Sequence, residues 1–116
     1  MRLSQVMEQL AEYLDNRRLF SYATAVGKLS GTSFQNLMGV AFGASELALF
    51  SAKTDGSVGE LLLKIPYAQI QAFRQKNRFL YSYTEFSFET TTLRFYNYNK
   101  KVFRRGFSDA GLEDKP

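Results

Sequence analysis

The chain contains neither cysteine nor histidine. Their absence removes thiolate nucleophiles, imidazole bases, disulfides, zinc sites built on either residue and haem held by them. Tryptophan is also missing, and there are only two prolines. No apolar run approaches the roughly 20 residues that a membrane-spanning helix needs. The opening segment carries Glu8, Glu12 and Asp15 where a secretory leader would need an unbroken apolar stretch. These features imply a cytoplasmic protein with no transmembrane segment.

What the chain has instead is aromatic mass: eleven Phe and seven Tyr in 116 residues. Each ring can bury a large apolar area, so this composition belongs to a folded chain. The length suits one domain, and a domain of this size buries roughly two-thirds of its unfolded surface without staples. The net charge of +4 is unevenly placed. Residues 1–59 hold five Lys/Arg against five Asp/Glu, residues 60–105 hold nine against three, and residues 106–116 hold one against three. Such a gradient can attract anions, although outward strand faces also carry charge simply to stay soluble.

The stretch at residues 60–73, ELLLKIPYAQIQAF, organises the rest: an apolar strand, a proline-tyrosine corner and a second apolar run. Before it, Leu3, Val6, Met7, Leu10, Ala11 and Leu14 recur at helical spacing, which predicts a helix of three to four turns capped by Ser4. Its acidic polar face suits packing on a sheet better than lying on a membrane. From Leu19 the period becomes two, predicting strands over residues 19–29, 37–44, 47–53 and 60–65, with a turn at residues 54–57. Pro66 fixes φ and donates no hydrogen bond, so the fourth strand must stop there. Further strands are expected at residues 70–76 and 79–89, separated by a turn at Asn77 and Arg78, and the last runs on from Leu93 with Phe95 inward. The reading is a mainly β (α+β) fold in which an N-terminal helix precedes a seven-stranded antiparallel meander, closed or covered so that its edges do not aggregate. One domain over residues 1–105 and a loose tail over residues 106–116 follow, because Gly106 and Gly111 interrupt the end.

Two short motifs point to a family. The run Lys64-Ile65-Pro66-Tyr67-Ala68-Gln69-Ile70 and the preceding Leu47-Ala48-Leu49-Phe50 resemble segments of the bacterial pleckstrin-homology-like domains, over about residues 18–98. The resemblance implies a sheet rolled into a barrel and a non-catalytic interaction module. Its members normally plug one barrel end with a C-terminal amphipathic helix, which the glycine-broken tail does not promise. Phosphoinositide-binding members cluster basic residues between strands one and two, whereas residues 30–35 have none.

Two candidate sites remain. Arg74, Lys76, Arg78, Lys100, Lys101, Arg104 and Arg105 form the largest basic group, a candidate anion site. Tyr81, Tyr83, Tyr96 and Tyr98 are candidates for an exposed aromatic strip, serving either as an interface or as ordinary cross-strand pairing. Glu85 and Glu89 lie about 13 Å apart on one strand, too far to work as an acid-base pair. No catalytic residue, metal ligand or cofactor is implied. The expected partner is a protein or a second copy, with β-augmentation at a strand edge as one mechanism. Binding of anionic lipid or a small apolar ligand in or on the barrel is the alternative, and nucleic acid is disfavoured for want of a motif.

Overall fold

The computed structural model describes residues 2–29, 31–77 and 81–112. Arg78, the expected start of the sixth strand at Phe79 and the last four residues of the expected tail lie outside the described residues. Period-two alternation produces β1 (Leu19–Leu29) and β2 (Thr32–Phe42), a long antiparallel hairpin. Then come β3 (Glu46–Ala52) and β4 (Val58–Pro66). Their turn has Gly56 at φ 86, and Asp55 accepts a hydrogen bond from the Ser57 N–H at 2.9 Å. The last three strands are β5 (Gln71–Asn77), β6 (Ser82–Phe88) and β7 (Thr91–Tyr96).

All seven strands belong to one antiparallel sheet in the order β4-β3-β2-β1-β7-β6-β5. The order departs from a simple meander, because β7 returns to pair with β1 through Thr24–Val26 and Arg94–Tyr96. The expected closure into a barrel does not occur. Among the described residues β4 and β5 are the two sheet edges and share no register. The chain crosses from one to the other through Pro66 and a single 3-10 turn, Tyr67–Gln69. Proline ends the β4 ladder there, and the Tyr67 hydroxyl donates to the Gly43 carbonyl at 2.8 Å, drawing the corner inward. A bulge between Gln71 and Arg74, with Ala72 at φ 51, then redirects β5.

A helix covers each face. On the outer face α1 (Leu3–Gln9) buries Val6 and Leu10 against Phe20, Ala41, Ala48, Phe50 and Val58. Gly39 carries no side chain beneath the Phe20 ring; a Cβ there would lie 3.0 Å from both Phe20 and Val58. The helix is shorter than its apolar periodicity predicts, and Arg2, rather than Ser4, occupies the cap, where its N–H donates to Gln5 at 3.0 Å. Separate turns carry the chain on, with the N–H groups of Tyr13 and Leu14 donating to the Leu10 carbonyl. That bend lets the Tyr13 ring meet Phe50 edge-on at 5.0 Å.

The inner face holds α2 (Lys100–Asp109), which corrects the expectation of a loose tail from residue 106. Asn99 caps it by accepting from the N–H groups of Lys101 (3.1 Å) and Val102 (3.2 Å). Phe103, Gly106 and Phe107 recur at helical spacing and are buried. Gly111 stops the helix at φ 80: its N–H donates to the Ser108 carbonyl, and that of Leu112 to Phe107, a Schellman arrangement. Glycine here serves as the end signal and as a contact point. Ala23 and Ala25 on β1 are fully buried, and their small side chains leave room for the Phe103 and Phe107 rings on the same side.

Arg17 clasps the two layers. Its guanidinium donates to Asp15 at 2.8 Å, to Asp109 of α2 at 3.0 Å and to the Gly43 carbonyl at 2.9 Å. Burial alone would raise the Asp15 carboxyl, but the hydrogen bonds and charge of Arg17 hold it below the ordinary carboxylate range. Among the described residues no helix is long and apolar enough to cross a membrane.

Candidate functional site

The register brings distant residues into two rows across the outer face. One runs Lys76, Tyr83, Tyr96, Thr24, Leu37 over β5, β6, β7, β1 and β2. The other runs Arg74, Glu85, Arg94, Val26, Gln35 over the same strands. Directly opposed residues of antiparallel strands share a face, so all ten point the same way. The alternating residues Thr84, Phe86, Leu93 and Phe95 are buried on the other side.

Tyr81, Tyr83 and Tyr96 form a cluster at the first row. Tyr81 and Tyr83 stack with centroids 6.2 Å apart, and Tyr96 lies 5.7 Å from Tyr83 and 6.5 Å from Tyr81. Arg94 stands over the Tyr83 ring at 4.3 Å, donates to Glu85 at 2.8 Å and reaches the Tyr96 hydroxyl at 3.3 Å. The guanidinium is rigidly held by three neighbours, and the Tyr96 and Glu85 contacts keep it firmly protonated. Glu85, one of the two carboxylates weighed for acid-base work, is thereby committed. Tyr81 is 54 % exposed and Leu37 54 %, so this end of the outer face is uncovered, whereas α1 screens the other end.

Tyr98 does not join the strip. Its ring packs at 4.5 Å on Phe103, so it belongs to the inner core. Beyond the end of β7 the two-residue alternation no longer decides the side, and the turn into α2 swings Tyr98 inward.

The expected basic group also divides. Arg74 and Lys76 lie on the outer face beside the tyrosines. Lys100, Lys101, Arg104 and Arg105 are exposed on α2, in the layer on the opposite side of the sheet. Arg105 pairs with Asp109 at 3.6 Å. Among the described residues neither Arg74 nor Lys76 forms an ion pair. The group divides because Arg74 and Lys76 point from β5 to the outer face, whereas α2 packs on the inner one.

Sequence reading missed Arg94 and Leu37 as members of the site. Leu37 joins it only through the β1–β7 pairing, which connects residues some 70 positions apart and leaves no local mark, whereas Arg94 joins through the β6–β7 hairpin, where it faces Glu85. Rings fill the space between sheet and α2: Phe42, Phe86, Phe95, Phe103 and Phe107 are fully buried and meet ring to ring there. No family model matches the chain, nor does any curated protein or solved structure.

Proposed function

We propose that this chain is a non-catalytic, pleckstrin-homology-like interaction module that works by protein-protein contact, including self-association, through its uncovered tyrosine face. The observation that carries the reading is the cluster of Tyr81, Tyr83 and Tyr96 locked by Arg94 on a half-exposed strand surface. Tyrosine and arginine are the side chains that interfaces favour, since each offers a large contact area with a polar handle at little entropic cost once held rigid. The pleckstrin-homology likeness draws support from the element order: an N-terminal helix, seven antiparallel strands and a C-terminal amphipathic helix. That last helix is one the resemblance implies. The open seam between β4 and β5 leaves a strand edge for β-augmentation as a further contact mode.

The alternative, an anionic lipid or a small apolar ligand, has less behind it. Rings fill the interior. Among the described residues the exposed large hydrophobics Leu3, Leu37, Leu61, Leu62 and Tyr81 all lie off α2 and its cations, and basic surface alone holds a membrane weakly.

Photo-crosslinking in native cell extract tests the proposal, with the photoreactive residue placed at position 81 in one variant and at position 104 in another. Specific protein adducts from position 81, absent from position 104, are expected. No adduct from position 81, or the same adducts from both, would overturn the reading.

A further inference from the structure

We infer that this chain self-associates head to tail: the tyrosine and cation face of one copy seats on the acid-rimmed cleft beside α1 of a second copy. The inference rests on the tyrosine face being a contact surface, and it names the occupant.

Complementarity of shape and charge carries it. The face presents Tyr81 as its most exposed ring, with Arg74 and Lys76, which form no ion pair among the described residues, on the neighbouring strand. The chain's own N-terminal segment presents the converse. There a cleft of about 350 Å³ is floored by Met7, Ala11 and Leu14 and rimmed by Glu8 and Asp15, with Arg18 also among its lining. Asp15 is already engaged by Arg17, but among the described residues neither Glu8 nor the adjacent exposed Glu12 forms an ion pair. One surface therefore offers an aromatic projection flanked by two cations, and the other an apolar recess rimmed by Glu8, with the carboxylate of Glu12, which meets the Tyr13 side chain, close by.

A two-fold contact of the tyrosine face with its axis near β5 would set Arg74 and Lys76 of one copy near those of the other. Like charges brought together in this way cost several kcal/mol in mismatched interfaces. Joining unlike patches avoids that repulsion. The two patches also lie at opposite ends of the outer face, since α1 packs over β1 to β4 and the tyrosines stand on β6 and β7. Each copy can thus use both patches at once, and such heterologous contacts extend into a ring or an open chain. The contact should weaken with salt, because both charged rims are solvent-exposed.

The test is a mixing experiment on the full chain, read by light scattering and sedimentation at low salt. One variant carries Arg74→Glu and Lys76→Glu, the other Glu8→Lys and Glu12→Lys. Each alone should associate at least about tenfold more weakly than the unaltered chain, the scale expected for reversing exposed interfacial charge pairs. Mixed, they retain one intact pair of surfaces and bring the two reversed ones together with opposite charge, so association should recover toward that of the unaltered chain. A mixture that stays monomeric overturns the inference. So does a Glu8→Lys, Glu12→Lys variant that associates as the unaltered chain does; the tyrosine face would then bind something else, and the proposed function would survive. An unaltered chain that remains monomeric at every concentration also overturns it, while crosslinking from position 81 to a different protein would leave the proposed function standing. Should a reversed variant lose its circular dichroism spectrum, the neutral pairs Arg74→Gln, Lys76→Gln and Glu8→Gln, Glu12→Gln go through the same mixing, with the same outcomes deciding.

Discussion

Replacing Gly106 by alanine should destabilise this protein, although the same change in most helices does the opposite. At an exposed helical position alanine gains about 1 kcal/mol over glycine, because it loses less backbone freedom on folding. Gly106, however, lies directly under the Phe42 ring. A methyl group there would come within 2.6 Å of Cγ and 2.7 Å of Cε2, well inside van der Waals contact. Phe42 cannot swing aside freely, since it is fully buried and its ring sits 5.2 Å from those of both Phe103 and Phe107. Overpacking of a filled core typically costs about 1–3 kcal/mol, and an obstructed ring belongs at the upper end of that range. After the propensity gain is deducted, a net loss of about 1–2 kcal/mol remains. For a domain of this size that lowers Tm by roughly 4–8 °C. Thermal melts and urea titration would read the change, with Ser108→Ala on the exposed side of the same helix as control, expected to hold or slightly raise Tm. A Gly106→Ala variant as stable as the unaltered chain, or more so, would refute the close packing of α2 on β2.

Two further predictions concern pH. The Asp15 carboxyl is held below its ordinary range, so the folded state binds that proton less readily than the unfolded chain. Its contribution is therefore complete above about pH 4 and fades as pH falls below that; Asp15→Asn should flatten this part of an acid-unfolding curve, and an unchanged curve would show that the Arg17 clasp is not formed in solution. Tyr67 behaves oppositely: burial outweighs the nearby Arg17 and pushes its hydroxyl up to about 12. Its stabilisation is intact below about pH 10 and lost as pH rises toward the folded value. Tyr67→Phe should cost about 1 kcal/mol at neutral pH through the lost hydrogen bond to Gly43 and remove that share of the alkaline decline, as urea titration across pH would show.

Much of the fold was legible in the sequence because its strands alternate strictly. The bounds of β1 follow from the change of period at Leu19, and the stop of β4 follows from the chemistry of Pro66. What failed was the end of the chain. Gly106 and Gly111 read as interruptions, yet one is the contact point that lets α2 press on Phe42 and the other its left-handed terminus. The Asn99 cap, the Phe103 and Phe107 spacing and the Gly111 stop together made a helix signature in which glycine was the expected final member. The candidate sites show a second limit. Tyr83 and Tyr96 could be found because strand period fixes their side, but Tyr98 lies past the strand and turned inward. Barrel closure was beyond reach for a similar reason: local alternation describes faces, and whether two edges meet depends on twist and bulges such as that at Ala72.

The proposed contact surface is the uncovered outer face of β6 and β7. Hydroxyl-radical footprinting of the tyrosines, run on dilute and on concentrated protein with the mass of each state measured alongside, tests it most directly. The account predicts that Tyr81, Tyr83 and Tyr96 lose reactivity as the mass rises, while buried Tyr67 and core-packed Tyr98 do not change. A rise in mass with Tyr81 and Tyr83 as reactive as before would contradict it.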